Sequence, residues 1–397
     1  MMWWLFLSTV ALLAYAWVAY PVILRLLAGA ARSKVDPQPG PRLKAAVIVS
    51  AYNEEAHIRE RIRNLRDVDW PSDSLTVWIG VDGASDRTGT EAEAEAGGDA
   101  RVRVRQFEKN RGKVAVLKDL VRECAASESP DILVFTDANT VFERGALKRL
   151  LAPFADCSVG GVCGRLSLVR GGLAETHEGT YWDWEARLKD LESRLDSCLG
   201  ANGAIYAMRA GLFWRDIPDN TIVDDFVLGM KVRETGARMV FEPDAVAYEE
   251  MPATVGDEWT RRVRIGAGDY QALWLCRRAL LPRYGVFAWM FMSHKFLRWF
   301  TPHLMLLATA SAAVHALKGA DGSGLAVAVL WLSGMAVLAL LAAVSRLTVR
   351  LGLRLPGLLE RAAYFFTIQA ALAAGFLRFC GGDLRGSWRR TSRGTKR

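Results

Sequence analysis

The pattern of apolar positions divides the chain into membrane-like ends and an alternating middle. Its first 24 residues contain no Asp, Glu, Lys or Arg, and a helix of that length crosses a bilayer. Trp299 to Leu317 and Gly322 to Ser345 are equally free of charge and predict two more spans. A further run, Ala362 to Leu377, has only 16 residues between Arg361 and Arg378, and spans only if those arginines snorkel. In the middle, Ala45–Ser50, Leu75–Val81, Val102–Phe107 and Ile132–Thr136 read as short strands, while Glu54–Leu65, Asp86–Ala96 and Lys113–Ala126 have helical spacing. Such alternation predicts an α/β domain, Rossmann-like, with a mostly parallel sheet and helices on both faces.

The boundaries follow. We expect an anchor over 1–28, a Pro/Gly linker over 29–43, the α/β domain over 44–275, an interfacial segment over 276–298, a membrane region over 299–380 and a basic tail over 381–397. A cleaved signal peptide is disfavoured although Ala28-Gly29-Ala30 resembles a cleavage site, because the apolar run is too long and no Lys or Arg precedes it. Arg25, Arg32 and Lys34 follow the anchor, so positive charge places the α/β domain in the cytoplasm. The tail carries Arg385, Arg389, Arg390, Arg393, Lys396 and Arg397 and prefers the same side, which favours a short or re-entrant segment over 362–377. A hydrophobic fraction of 51% and a net charge of +8 suit a membrane protein in contact with lipid headgroups and anionic ligands; with no nucleic-acid module, no DNA or RNA partner is expected. The six cysteines show no paired or metal-like spacing and are expected to be free thiols in a reducing compartment.

Each strand end delivers polar residues. Ser50-Ala51-Tyr52-Asn53-Glu54-Glu55, Val81-Asp82-Gly83-Ala84-Ser85-Asp86 and Thr136-Asp137-Ala138-Asn139 would share the carboxyl edge of the sheet, where ligands bind in open α/β folds. The absence of G-x-G-x-x-G and G-x-x-x-x-G-K-[ST] at these turns argues against an NAD-type domain or a P-loop NTPase. Asp137 and Asn139, two apart beyond a strand, can hold a hard divalent cation against phosphate oxygens; an ordinary Asx-turn cap is the alternative. Asn110-Arg111-Gly112-Lys113 opens a helix with a glycine turn, a cation and free N–H groups, which suits phosphate, unless Lys113 is only a solvated first-turn residue.

These motifs, in this order, resemble the GT-A domain of family 2 glycosyltransferases over roughly residues 44–275, and the apolar flanks resemble those of membrane-embedded cellulose, hyaluronan and poly-N-acetylglucosamine synthases. The resemblance implies a hexosyltransferase that moves a sugar with inversion from a nucleotide sugar, UDP-linked by expectation, to a lipid-linked or glycan acceptor. By it, Ala51, Tyr52, Asn53, Glu54, Asp82, Lys113 and Asp137 bind the donor, with Asp82 on the base or ribose and Lys113 near the diphosphate. Asp137 and Asn139 form the motif for Mg²⁺ or Mn²⁺, with Asn139 in place of the usual second acid. Asn202, Gly203 and Asp224 lie on the acceptor side, and Asp225 is the base. Of the Gln-x-x-Arg-Trp pattern only the arginine is kept, at Arg264; Arg261 stands at the Gln and with Arg264 could clamp a diphosphate, whereas Ile265 replaces the Trp and argues against long-chain processivity. Expected location is a bacterial inner membrane, among membrane lipids, with an export partner or homo-oligomer if product crosses it. A processive synthase of the same family, a nucleotidyltransferase and a silent membrane scaffold are the alternatives.

Overall fold

The structure is a computed structural model that describes residues 1–30, 43–169, 177–250, 255–319, 322–350 and 356–384. Most of the expected linker, with Arg32 and Lys34, and the tail from residue 385 lie outside the described residues. Contacts divide the chain into two units: one holds Met1–Ile23, Trp259–Tyr270 and Trp289–Asp383, and the other holds Leu24–Glu258, Gln271–Ala288 and Leu384–Arg397.

In the second unit, eight strands among the described residues make one sheet: β1 (Ala45–Ala51), β2 (Leu75–Asp82), β3 (Val102–Phe107), β4 (Ile132–Asp137), β5 (Thr140–Phe142), β6 (Val159–Val169), β7 (Tyr206–Arg209) and β8 (Arg238–Glu250). Their order is β3-β2-β1-β4-β7-β6-β8-β5. Pairings of β1 with β2 and β4, of β2 with β3, and of β6 with β8 are parallel. β7 runs antiparallel to β4 and β6, and β5 antiparallel to β8, so the sheet is mixed. Every residue of β1 is buried, the mark of a strand covered on both faces, and one face, Ala45, Val47, Val49 and Ala51, belongs to an apolar core with Ile58, Ile62, Leu65, Val134 and Leu147.

The order reverses at β1, where β2 lies on one side and β4 on the other, and a crevice opens at the carboxyl ends of strands at such a switch point. The helices that follow β1 and β2 start later than periodicity predicts. Ile58–Arg66 begins after a turn in which Asn53 takes a φ of 55° and the Glu54 N–H donates to Thr88 Oγ1 at 2.7 Å. Thr88–Ala96 starts at Thr88 because Asp86 Oδ1 accepts from the Thr88 N–H at 3.0 Å. The Glu54–Thr88 bond ties the turn after β1 to the turn after β2.

In the first unit, and in the helices continuous with it, three helices among the described residues are long and apolar enough to cross a membrane: Met2–Gly29, Gly322–Thr348 and Gly357–Cys380. The apolar run 362–377 lies inside the last of these, which extends past Arg361 and Arg378 to 24 residues. Thr301–Leu317 qualifies only together with Val286–Trp299, and the pair is bent by 62°. Several polar side chains in this unit pair within it: Tyr15 Oη and Ser293 Oγ lie 2.8 Å apart, and Trp289 Nε1 donates to Tyr15 Oη at 2.8 Å. All six cysteines are free thiols, four of them buried.

Candidate active site

The carboxylate that ends β2 organises the first wall of the crevice. Asp82 is 1% exposed, and its two oxygens accept the backbone N–H groups of Arg111 and Gly112 at 2.8 Å each. The resemblance implies Asp82 on a donor base or ribose; in this structure its carboxylate holds the loop that opens the Lys113–Ser127 helix. That loop fits tightly because Gly83, at φ +61°, has no side chain: a Cβ there would come within 2.4 Å of the Asn110 N and Lys109 C atoms. The neighbouring turn is equally bonded. Ser85 N–H donates to Asn53 Oδ1 at 2.8 Å, His57 Nδ1 lies 2.8 Å from Glu54 Oε2, Ala51 is buried and Tyr52 is half-buried.

The second wall brings the acids together. Lys113 Nζ donates to Asp137 Oδ1 at 2.8 Å and lies 3.6 Å from Asp224 Oδ2. Burial works against the ammonium, yet Asp137, Asp224 and Asp225 together outweigh it and hold Lys113 firmly protonated. Gly203 sits at the meeting point: a Cβ built on it would lie 3.1 Å from Asp137 Oδ2, 3.4 Å from Asp225 Oδ2 and 3.6 Å from Lys113 Nζ. Four residues from separate parts of the chain thus surround one small space.

The two adjacent acids differ. Asp224 is 4% exposed, its Oδ2 is buried with no hydrogen-bond partner among the described residues, and burial lifts it to about 6 against the pull of Lys113. Asp225, half-buried, is also raised by burial, while the Phe226 N–H donates to its Oδ1 at 2.8 Å. Its Oδ2 is therefore the oxygen left facing Gly203, in the position a proton acceptor needs.

Other residues have different placements. Asn202 is 7% exposed: its amide donates to Gly164 O at 2.7 Å, and its Oδ1 accepts from the Ile205 N–H at 3.2 Å. It shapes the loop that carries Gly203. Arg261 and Arg264 lie on the helix Val255–Leu275, in the other unit, with Ile265 beside them. Asn139 Nδ2 donates to Glu249 Oε1 at 2.7 Å.

Sequence reasoning missed Arg61, which is 1% exposed beneath the site. Its guanidinium donates to Thr136 Oγ1 at 2.7 Å and Asn64 Oδ1 at 2.6 Å, and rests 4.3 Å from the Phe142 ring centroid. Burial lowers it to about 9 while Asp137 works in the opposite direction. Thr136 passes the link on by donating to Ala204 O at 2.6 Å, so Arg61 fixes the end of β4 to the Gly203 loop. Its spacing with Ile58, Ile62 and Leu65 puts it on the buried stripe, the one legible signal. Tyr206 was missed too. Its hydroxyl is buried with no hydrogen-bond partner among the described residues, and burial, reinforced by Asp224, Asp225 and Asp137, raises the phenol well above its ordinary value.

Asp137 Oδ2 and the amide oxygen of Asn139 are the donors suited to a hard cation. Among the described residues no group of three His, Cys, Asp or Glu side chains is placed to hold a metal by itself. Such a two-oxygen set fits Mg²⁺ or Mn²⁺ completed by diphosphate oxygens and water.

Residues 41–267 match the family model described as glycosyltransferase like family 2. A probable glycosyltransferase of Bacillus subtilis, YdaM, is 24% identical over 246 residues, 57% of this chain and 55% of that protein. The beta-monoglucosyldiacylglycerol synthase of Synechocystis sp. is 23% identical over 263 residues, 62% and 53%. The poly-beta-1,6-N-acetyl-D-glucosamine synthase of Staphylococcus epidermidis is 21% identical over 234 residues, 57% and 54%. The chain thus spans about half the length of the curated relatives it matches. Among solved structures, a mannosyltransferase of Pyrobaculum calidifontis in complex with GDP-Man and Mn²⁺ superposes with a TM-score of 0.71, at 22% identity, covering 95% of this chain and 99% of that one. At that identity the likeness shows the fold, which is GT-A.

Proposed function

This chain belongs to the glycosyltransferase-like family 2, and from that premise we propose that it moves a hexose with inversion from a nucleoside-diphosphate sugar to a lipid-linked or membrane-surface acceptor. The observation that carries this reading is the convergence of Lys113, Asp137 and Asp225 on Gly203.

A sugar with a diphosphate leaving group needs three things: charge to receive the departing diphosphate, a carboxylate to take the acceptor's proton, and room between them for the anomeric carbon. Lys113 supplies the protein's own cation, held by Asp137 on one side and Asp224 on the other. A divalent cation at Asp137 and Asn139 would neutralise the diphosphate further. Asp225 Oδ2 takes the proton of the acceptor hydroxyl as its oxygen bonds to the anomeric carbon and the bond to the diphosphate breaks on the opposite face. Gly203 keeps the space open. The Arg61–Thr136–Ala204 link holds its loop in place.

The acceptor reading is supported by the three apolar helices long enough to cross a membrane and by the glycolipid product in the name of the Synechocystis relative. Ile265, where a stacking Trp is expected, favours transfer of one or a few sugars over a long polymer. The test is purified protein with a panel of UDP- and GDP-sugars, Mg²⁺ or Mn²⁺, and membrane lipid, with products analysed by mass spectrometry. Discrete glycolipids support the proposal. A long polysaccharide made without a lipid acceptor overturns the acceptor assignment, and failure of every nucleotide sugar to bind overturns transfer itself.

A further inference from the structure

The position where the family's metal motif has lost its second acid is bonded to an acid from elsewhere in the chain. Asn139 Nδ2 donates to Glu249 Oε1 at 2.7 Å, across a separation of 110 residues. The contact is built into the sheet. β5 begins at the next residue, pairs antiparallel with β8, and sets Thr140 opposite Glu249, Val141 opposite Tyr248 and Phe142 opposite Ala247. β8 is in turn held by β6 along ten rungs, with Leu168 opposite Glu249, so the carboxylate is presented from a paired strand and not from a loose loop.

We propose that Glu249 is a positioning residue for a divalent cation at Asn139, and that it returns to the site the negative charge missing from position 139. The proposal rests on the reading above that the cation lies at Asp137 and Asn139. Its physical basis is the asymmetry of an amide. Oxygen and nitrogen occupy the two arms of Asn with nearly the same shape, and only the oxygen can ligate a hard cation. An ionised carboxylate accepts hydrogen bonds and donates none, so it selects the NH₂ arm. With Nδ2 fixed on Glu249, Oδ1 is the arm left for the cation. The two residues together supply what an aspartate at 139 would supply alone, an oriented oxygen and a negative charge. Outer carboxylates that orient a metal ligand in this way are worth roughly 10–100-fold in metal affinity.

The experiment measures Mn²⁺ binding to the full-length protein by electron paramagnetic resonance of the free ion, with UDP or GDP present and no acceptor, so that no turnover enters the readout. Glu249→Gln keeps the shape but lets the partner amide bind in either orientation and removes the charge. It is expected to weaken Mn²⁺ by about tenfold or more while leaving nucleotide binding without metal unchanged. The double variant Asn139→Asp/Glu249→Gln moves the carboxylate back into the motif and is expected to return Mn²⁺ affinity to within about threefold of wild type. Wild-type Mn²⁺ affinity in Glu249→Gln overturns the proposal, as does a double variant that binds no better than Glu249→Gln. Loss of metal-free nucleotide binding in Glu249→Gln marks it as misfolded, and the double variant then decides. A wild-type protein that binds no Mn²⁺ with either nucleotide overturns the metal reading under the proposed function, and this proposal with it.

Discussion

Lys113 Nζ and Asp137 Oδ1 lie 2.8 Å apart, and this pair joins the loop held by Asp82 to the end of β4. Lys113 Nζ also lies 3.6 Å from Asp224 Oδ2, so it neutralises a cluster and not a single partner. Replacing it by Met leaves carboxylates at Asp137, Asp224 and Asp225 facing one another, and breaking a buried pair of this kind costs about 3–5 kcal/mol. We expect Lys113→Met to melt well below wild type in metal-free buffer and to recover part of the difference when Mn²⁺ is added, because a second cation then screens the acids. Differential scanning calorimetry with and without Mn²⁺ checks this. Equal melting temperatures without metal would show that Lys113 is not the cluster's counter-charge.

Asp224 gives a pH dependence of defined sign. Burial raises it to about 6 from an ordinary value near 3.8, so the folded protein holds a proton there that the unfolded chain has already lost. Stability from this group is fully present below about pH 4 and declines as pH rises to about 6, above which the cost of the buried charge is constant. Asp224→Asn carries no such charge. It is expected to match wild type in melting temperature near pH 4 and to exceed it above pH 6. The opposite trend would mean that the Lys113 contact outweighs burial.

Asp225 presents Oδ2 to the Gly203 loop while its Oδ1 is held by the Phe226 N–H. Asp225→Asn keeps the shape and that N–H bond but cannot take a proton, so kcat should fall by about 10²–10⁴-fold with donor affinity little changed. Asp224, buried against Lys113, should tolerate the same exchange with a smaller loss of kcat. Stopped-time product assays and calorimetric UDP and GDP titrations on both variants check the assignment. A turnover order reversed between the two variants would move the base to Asp224.

What the sequence made legible was local. Lys113, Asp137 and Asp225 stand at a helix start or a strand end, and such positions follow from periodicity and turn chemistry within a few residues. Arg61 carried only the faint signal of a charged residue on an apolar helical stripe, since nothing in its surroundings in sequence names Thr136 or Phe142 as partners. Glu249 was hidden more completely, because its bond to Asn139 depends on the β5–β8 pairing, which no local pattern encodes. Asn202 is read from the sequence as an acceptor-side amide, and its bond to Gly164, which with that to Ile205 holds the loop that carries Gly203, depends on a strand pairing that no local pattern names. Near the other end, Arg361 and Arg378 bounded the apolar run 362–377, whereas the helix runs through both.

Gly203 offers the sharpest separation of activity from folding. Its backbone lies outside the left-handed region, so an alanine there is not strained by its own dihedral angles. The added methyl would instead meet Asp137 Oδ2 at 3.1 Å, Asp225 Oδ2 at 3.4 Å and Lys113 Nζ at 3.6 Å. The first of these contacts is tighter than a Cβ normally makes, and Asp137 must yield by a few tenths of an ångström. Asp137 cannot shift freely, because Lys113 holds its other oxygen. The fold should absorb the change at a cost of about 1 kcal/mol, the ordinary range for a substitution that displaces side chains slightly. Catalysis should not absorb it: the methyl occupies the space assigned to the reacting sugar, and small misplacements there cost on the order of 10²-fold. Gly203→Ala is therefore expected to melt close to wild type, bind the free nucleotide nearly as well, and lose about 10²-fold in kcat/KM, with Gly203→Val worse on every measure of transfer. Steady-state kinetics beside a melting curve decides the matter. Wild-type kcat/KM in Gly203→Ala would place the sugar elsewhere and remove the ground for assigning Asp225 as the base.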